Sequence, residues 1–192
     1  MLTEPIAVTI VVTDALESLG VTYAIGGSLA SAVHGVMRAT MDADLVADLH
    51  MDHVDLLAQA LGDTFYADAE MMRDAVRHRS SFNLIHLDTM FKVDVFVAKQ
   101  REFDRSQLAR REACILSDNP PVRAYITSAE DIVLAKLEWY HIGGRTSDRQ
   151  WRDILGVMKV QENRLDRDYL RRIAATLSVS DLLEQALDEA AR

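Results

Sequence analysis

Residues 25–30 read Ile-Gly-Gly-Ser-Leu-Ala, and residues 38–45 read Arg-Ala-Thr-Met-Asp-Ala-Asp-Leu. Together these two stretches decide the fold. The first ends an apolar run that begins at Val21, so a short strand is predicted to enter the glycine turn. A helix is predicted to open at Ser28 and to run to about Gly35, because serine or glycine at this point caps free backbone N–H groups.

The second stretch predicts another strand, and this strand carries two carboxylates. Asp42 and Asp44 are two residues apart, so they point to one face, because side chains alternate along a strand. A third acid, Asp94, interrupts the apolar run 93–97, where threonine or valine would be expected. This acid belongs to the strand-like run 91–97, which the short polar connection 88–90 joins to the run 82–87, and the pair predicts a β-hairpin.

These features point to phosphate chemistry. If the strand of Asp94 lies beside that of Asp42 and Asp44, the three carboxylates form an oxygen-rich site of the kind that binds Mg²⁺. The glycine turn allows close backbone approach, and the helix N-terminus after it offers N–H groups to a phosphate. A metal ion and a phosphate cradle are what phosphoryl or nucleotidyl transfer requires.

Each feature has a simpler reading when it is taken alone. Gly26-Gly27-Ser28 can be an ordinary tight turn, and acids such as Asp42 and Asp44 are common on solvated strand faces. The order of the three features along the chain, with Asp94 inside an apolar strand, favours a site.

The rest of the chain predicts helices and one further strand pair. Runs 113–116 and 122–126 flank a proline turn and are predicted to form a strand pair at the sheet edge. The stretch 65–78 is ambiguous, with a helix around residues 71–76. Other helices are predicted at 4–19, at 51–62, from Ser128 to about Tyr140, from Ser147 or Asp148 to about Val160, at 166–177 and at 180–191. These patterns divide the chain into a mixed-sheet core, 1–127, and a C-terminal helical region, 128–192, packed on it.

Composition limits the class of protein and its partners. The 192 residues are 49% hydrophobic and 27% charged, which is ordinary for one globular domain. The formal net charge of -9 excludes a broad basic face for nucleic acid but not a small basic site. The single cysteine, Cys114, is predicted to be a packed residue in a reducing compartment. No apolar run reaches the roughly 20 residues of a membrane helix, so a cytoplasmic protein is predicted.

The quoted stretches, together with residues 91–96, resemble the nucleotidyltransferase (polymerase-beta-like) superfamily, in which a glycine turn, a paired acid motif and a single later acid follow in this order. Within the superfamily the chain resembles bacterial nucleotidyltransferase-like proteins akin to AbiEii-type toxins, which continue with helices resembling 128–137 and 149–154. The resemblance covers roughly residues 20–155. It implies an α+β nucleotidyltransferase fold, with a mixed β-sheet flanked by helices and followed by a C-terminal helical region.

The resemblance also implies roles for particular residues. Asp42 and Asp44 would ligate a pair of Mg²⁺ ions, and Asp94 would complete the site near the attacking hydroxyl. The triphosphate of an NTP would lie on Gly26, Gly27 and Ser28. Many members have an arginine soon after the turn, whereas this chain reads Leu-Ala-Ser-Ala at positions 29–32. The phosphate charge must then be met elsewhere, and the predicted nucleotide contacts are Arg38, Thr40, Lys136 and Arg149, although each could also be an ordinary structural or solvated side chain.

The implied activity is Mg²⁺-dependent transfer of a nucleoside monophosphate from an NTP, such as ATP, to a hydroxyl acceptor, which could be RNA, a protein or a small molecule. The same resemblance implies a toxin–antitoxin or defence setting with an antitoxin protein as partner. Two alternatives stay open: a non-catalytic nucleotide-binding or interaction module that retains the fold, and a metal-dependent phosphohydrolase. A basic patch within residues 73–79, made of Arg73, Arg77, His78 and Arg79, is interpreted as a solvated helix face rather than an RNA contact.

Overall fold

The computed structural model describes residues 4–35, 40, 42–118 and 121–191, and within these ranges seven strands form one mixed sheet. In chain order the strands are β1 (Tyr23–Ile25), β2 (Asp42–Ala47), β3 (Phe65–Tyr66), β4 (Ser81–His86), β5 (Lys92–Val97), β6 (Glu112–Asp118) and β7 (Pro121–Ile126). Their spatial order is β3-β4-β5-β2-β1-β7-β6. A mixed sheet flanked by helices was predicted, and the prediction is confirmed.

The centre of the sheet pairs strands that are far apart in sequence. β2 lies between β1, which is antiparallel to it, and β5, which is parallel to it. β4 and β5 form the predicted antiparallel hairpin. β6 and β7 form the predicted second pair, with β6 at the edge and β7 running parallel to β1 through Ile25 and Ile126.

Nine helices of eight or more residues flank this sheet in the described ranges. They are α1 (Glu4–Ser18), α2 (Gly27–His34), α3 (Val54–Leu61), α4 (Ala69–His78), α5 (Glu102–Ala109), α6 (Ala129–Ile142), α7 (Asp148–Gln161), α8 (Arg167–Thr176) and α9 (Ser180–Ala190). None of the helices in the part of the chain described here is long and apolar enough to cross a bilayer. Ser128 and Ser147 cap α6 and α7 as predicted, because each side chain accepts a backbone N–H of the first turn.

Strand alternation decides which face of the sheet carries the acids. Ala43 and Leu45 of β2 and Val93 and Val95 of β5 are buried in one core. Helices α1, α3 and α4 supply the other side of this core through residues such as Leu16, Leu57 and Met72. The residues in between therefore point to the opposite face, where the polar groups of β2 and β5 lie.

A second core joins the C-terminal helices. Buried residues of α6 to α9, including Leu134, Ile154 and Leu170, pack with Ala30 of α2 and Phe103 of α5. The division of the chain near residue 127 stays a prediction, and this core takes in side chains from both sides of that position.

Helix α2 is fastened at its C-terminal end. The buried ring of His34 forms a hydrogen bond through Nε2 with the Thr127 carbonyl oxygen at 2.7 Å. The His34 carbonyl oxygen in turn accepts a hydrogen bond from Gln161 Nε2 at 2.9 Å. Helix α2 is thus tied both to the start of α6 and to the end of α7.

Three local predictions need correction, and one helix was missed. Ser28 does not cap α2, because the helix begins at Gly27, with Gly26 at the cap position and no side-chain hydrogen bond there. The helix predicted at 51–62 begins as a 3-10 turn, and α3 starts only at Val54. The ambiguous stretch 65–78 contains strand β3 and a full helix, α4, which Asp68 caps. Helix α5 was not predicted, because Phe103 and Leu108 alone give a weak apolar pattern.

A buried polar cluster supports α6 and α8. Asp131 is fully buried and accepts hydrogen bonds from Tyr169 Oη at 2.5 Å and from Ser128 Oγ at 2.8 Å. We expect Tyr169→Phe to lower the free energy of unfolding by about 1–3 kcal/mol, because the buried carboxylate loses a donor. The matched control Tyr66→Phe, at a half-exposed position of β3, should change stability by less than about 0.5 kcal/mol in the same denaturant titration. An equal loss in both variants would contradict this.

Candidate active site

The three acids lie on adjacent strands. β2 and β5 pair in parallel so that Asp44 is opposite Asp94 and Asp42 is opposite Lys92. Paired strands are about 4.8 Å apart, so the backbone brings Asp94 to the acid pair across some fifty residues of intervening chain. The condition under which the sequence indicates a shared site is met, because the strand of Asp94 lies beside that of Asp42 and Asp44.

The glycine turn lies directly against the acid pair. The Gly26 N–H donates a hydrogen bond to the Asp44 carbonyl oxygen at 2.8 Å. Gly27 has a φ of +52°, and a Cβ atom at this position would lie 1.7 Å from Asp44 Oδ2. A side chain at position 27 would therefore be strained by the left-handed backbone and would displace the Asp44 carboxylate packed against it. Ser28 is buried in the first turn of α2.

Burial and like charges act together on Asp44. The pKa of Asp44 is raised from 3.8 to about 6, chiefly by burial and then by the charges of Asp42 and Asp94. Lys136 and Lys92 act in the opposite direction. The ionised form of Asp44 is therefore unfavourable in the metal-free protein, and a bound cation would relieve the repulsion.

This repulsion gives a test that needs no substrate. A raised pKa means that the folded protein loses stability as the pH rises from 3.8 through about 6. With a chelator at pH 7.5, Asp44→Asn should raise the free energy of unfolding by about 1–3 kcal/mol, and the gain should shrink towards pH 5. The exposed Asp88→Asn serves as the control in the same denaturant titrations. A loss of stability at pH 7.5, or a gain independent of pH, would contradict the assignment.

Lys92 is a member of the site that sequence reasoning missed. Its Nζ forms an ion pair with Asp94 Oδ2 at 2.6 Å, and this hydrogen bond is the main cause that raises the pKa of Lys92. The signal was available, since Lys92 and Asp94 are two residues apart and must share a strand face. What the sequence did not indicate was the register that places Lys92 opposite Asp42.

The carboxylates of Asp42, Asp44 and Asp94 are ligands of the type that suits a divalent cation. In this structure they are not arranged as a complete coordination sphere. No group of three His, Cys, Asp or Glu side chains in ranges 4–35, 40, 42–118 and 121–191 is close enough together to hold a metal ion. The Asp94 carboxylate instead contacts Lys92. The oxygen donors of Asp42, Asp44 and Asp94 are of the type that Mg²⁺ prefers, and their mutual repulsion at Asp44 favours a cation.

Thr40 and Lys136, two of the predicted nucleotide contacts, lie at the acids. Thr40 Oγ1 lies 2.9 Å from the Asp42 carbonyl oxygen and 3.1 Å from Asp42 Oδ1, so its hydroxyl orients the Asp42 carboxylate. The buried Lys136 forms an ion pair with Asp153 Oδ2 at 2.9 Å and acts electrostatically on Asp44. A direct contact of Thr40 or Lys136 with nucleotide stays a prediction.

The other two predicted nucleotide contacts are Arg149 and Arg38. Arg149 is exposed on α7, one helical turn before Asp153, so the two side chains share a helix face. Asp153, on that face, forms the ion pair with Lys136. Arg38 lies outside the described residues. The roles of Arg38 and Arg149 stay predictions.

An aromatic pair borders the acids and was also not predicted. Phe96 follows Asp94 by two residues on β5, and Trp139 follows Lys136 by three on α6. Their rings meet with centroids 5.8 Å apart, and Trp139 is 50% exposed. A half-exposed tryptophan that packs on the strand of Asp94 offers a flat apolar surface to a bound ring.

Solved structures share this architecture. The chain resembles an antigenic nucleotidyltransferase-like protein from Paracoccidioides brasiliensis, with 19% identity and a TM-score of 0.51 over 95% of this chain and 91% of that one. The lincosamide antibiotic adenylyltransferase LnuA, solved with lincomycin, gives 16% identity and a TM-score of 0.53 over 83% of this chain and 98% of that one. The antibiotic-resistance factor ANT(2'')-Ia gives 15% identity and a TM-score of 0.54 over 95% of this chain and 97% of that one.

The likeness is one of structure. The sequence matches no protein-family model, and no curated protein matches it at a significant level. At such identities the shared architecture establishes the fold alone. The chain has the nucleotidyltransferase fold, a seven-stranded mixed sheet flanked by helices in the described ranges, as its sequence predicted.

Proposed function

We propose that this protein transfers a nucleoside monophosphate from an NTP to a hydroxyl group of an acceptor, in a reaction that needs Mg²⁺. The observation that carries the proposal is the pairing of Asp44 with Asp94 on neighbouring strands, with Gly27 packed against the Asp44 carboxylate. A nucleotidyltransferase fold with intact acids at this position supports catalysis rather than binding alone.

Each residue has a role in the proposal. Asp42, Asp44 and Asp94 would hold the divalent metal, which would neutralise charge on the triphosphate. Gly26, Gly27 and Ser28 would let the phosphates approach the N-terminus of α2, where free backbone N–H groups favour anions. Asp94 would also lie next to the acceptor hydroxyl and draw its proton. Lys92, which contacts Asp94 Oδ2, would exchange this contact for one with substrate.

The acceptor is proposed to be a small hydroxyl compound in preference to RNA or protein. The net charge of -9 repels a polyanion, and two of the similar structures are described as an antibiotic adenylyltransferase and an antibiotic-resistance factor. The same description makes ATP the first nucleotide to test. The half-exposed Trp139, whose ring meets Phe96 two residues after Asp94, would give such an acceptor a surface to pack on.

The decisive experiment follows label and pyrophosphate together. The protein is incubated with each α-labelled NTP, Mg²⁺ and one acceptor pool at a time: small hydroxyl compounds, total RNA, or protein. Label on an acceptor together with pyrophosphate release supports the proposal. Phosphate release without an acceptor would instead indicate a phosphohydrolase. Transfer that is unchanged in Asp94→Asn would refute the site.

A non-catalytic nucleotide-binding module is the second candidate. The ion pair of Lys92 with Asp94 at 2.6 Å favours it, because the third carboxylate already has a cation. The chain has two tryptophans, and Trp151 is held by Glu189 and Tyr140. Trp151→Phe therefore leaves Trp139, which contacts Phe96 of β5, as the only fluorescent tryptophan. Metal-dependent quenching by an NTP, with no product in any pool, would support the module and exclude the enzyme.

The resemblance of the acid motifs to AbiEii-type toxins supports one further proposal, a toxin–antitoxin setting with a neutralising protein partner. Expression of the wild-type chain should then arrest bacterial growth, and Asp94→Asn should abolish the arrest. Normal growth with the active wild-type protein would contradict this setting without affecting the proposed reaction.

A further inference from the structure

A cavity of about 440 Å³ opens at the end of β2 and β5 that lies away from the glycine turn. We name it the α5 cavity, because Asp104, Arg105 and Leu108 of α5 form one wall. Asp48, just after β2, forms part of the opposite wall. Asp48 is four residues beyond Asp44, which corresponds to about 13 Å along an extended strand. The α5 cavity is therefore separate from the acids.

Positive charge dominates the lining of the α5 cavity. Its two carboxylates already have partners: Asp48 lies 3.7 Å from Arg79 Nη1, and Asp104 accepts a 2.7 Å hydrogen bond from Arg101. The remaining charged lining residues are Lys99, Arg105 and Arg111. These three form no ion pair with an acid in the described part of the chain. Three unbalanced cations around one cavity stand out in a chain of net charge -9.

Arg111 is held in place by neutral groups. Its Nη1 donates to the Leu108 carbonyl oxygen at 2.8 Å, and its guanidinium lies 4.6 Å from the centre of the Tyr125 ring. Its Nε is buried and has no hydrogen-bond partner among the described residues. Burying an unpaired donor on a cation costs free energy, and a negative charge in the cavity would offset this cost.

Arg79 fixes the other side of the cavity. It ends α4 with a φ of 49°, a left-handed conformation that is uncommon for arginine. From there Nη1 donates to the Ala98 carbonyl oxygen at 3.0 Å, at the end of β5. The interpretation of the basic patch 73–79 as a solvated helix face is therefore wrong for Arg79, whose side chain lines the cavity, whereas Arg73 pairs with Asp55 and Glu70 on the surface.

We propose that the α5 cavity binds the phosphate group of a small molecule, with Lys99, Arg105 and Arg111 as its counter-charges. Guanidinium and ammonium groups are the usual partners of phosphate oxygens. The volume is in the range of small-ligand sites, and the buried side chains of Ala98 and Leu108 give the body of the ligand an apolar wall. This site does not depend on the proposed nucleotidyl transfer.

Calorimetric titration tests the proposal with three probes: inorganic phosphate, pyrophosphate and AMP. A chelator is present throughout, so that metal-dependent binding at the acids makes no contribution. The test variant combines Lys99→Gln and Arg105→Gln, both at exposed positions. The control variant combines Lys159→Gln and Arg171→Gln, which are exposed and do not line the cavity, so that the two proteins have equal net charge. Circular dichroism and thermal melting establish that both remain folded.

We expect at least one probe to bind, at least tenfold more weakly to the test variant and within twofold of wild type to the control. Tighter binding of AMP than of inorganic phosphate would assign the site to a phosphorylated metabolite or nucleotide, and equal binding would assign it to free phosphate. The absence of binding by all three probes at millimolar concentration would overturn the proposal. Equal weakening of binding in the two variants would overturn it as well.

Discussion

Asparagine in place of Asp94 should lower the rate of nucleotidyl transfer by about 10²–10⁴-fold, the usual contribution of a positioned proton acceptor. Asp94 lies opposite Asp44 in the sheet and is the acid nearest to Lys92. The neutral amide neither accepts the proton of the acceptor hydroxyl nor offers a negative charge to metal. The loss should appear in kcat and in kcat/KM alike, because the interaction is made in the transition state.

The control for this variant is Asp88→Asn, an exposed aspartate in the turn between β4 and β5. It makes the same chemical change six residues earlier and should leave the rate within about twofold of wild type. Initial rates with saturating NTP and acceptor give the comparison, and thermal melting checks that both proteins are folded. A residual rate of Asp94→Asn within about threefold of wild type would remove Asp94 from the catalytic assignment.

Alanine at Gly27 should abolish detectable activity, and Gly20 provides a control for the backbone contribution. Both glycines have positive φ, +52° and +70°, so alanine is strained at either position, at a cost of about 1–2 kcal/mol. At Gly27 the added Cβ would also lie 1.7 Å from Asp44 Oδ2, whereas at Gly20 it meets nothing within 4 Å. The carboxylate of Asp44 must therefore move only in Gly27→Ala.

The two alanine variants separate stability from catalysis. Both should lose some free energy of unfolding, measured in denaturant titrations. Only Gly27→Ala should lose transfer activity, by a factor of more than about 10². If Gly20→Ala lost activity to the same degree, backbone strain alone would explain the effect. If Gly27→Ala kept its activity, the contact of the glycine turn with Asp44 would not be required for catalysis.

Much of the fold could be predicted because its local patterns agree with its tertiary contacts. The alternation around Asp42 and Asp94 gave both strands and the face on which each acid lies. The serine caps of α6 and α7 and the 88–90 connection gave boundaries close to those observed. Each of these features depends on residues only a few positions apart, which is the range over which a sequence pattern carries information.

What could not be predicted depends on register and on contacts between distant segments. The ion pair of Lys92 with Asp94 belongs to the site only because β5 pairs with β2 and so places both residues opposite the other two acids. The contact of Phe96 with Trp139 joins a strand to a helix more than forty residues away. Helix α5 has two buried apolar side chains, Phe103 and Leu108, that pack into different cores. Its sequence therefore has no helical repeat of apolar residues from which the helix could be predicted.

The anchoring of His34 has a consequence for how proteins with this architecture can diverge. The helix that starts at the glycine turn is fastened at its other end to Thr127 and Gln161. Its orientation is therefore inherited from the C-terminal helices as well as from the sheet. A chimera that joins residues 1–127 to the helical half of a relative would keep every acid and Thr127, and it would still misalign the turn unless the relative supplied an equivalent of Gln161. Substitutions in one half of the chain can be independent of the other half only at positions that do not contact this helix.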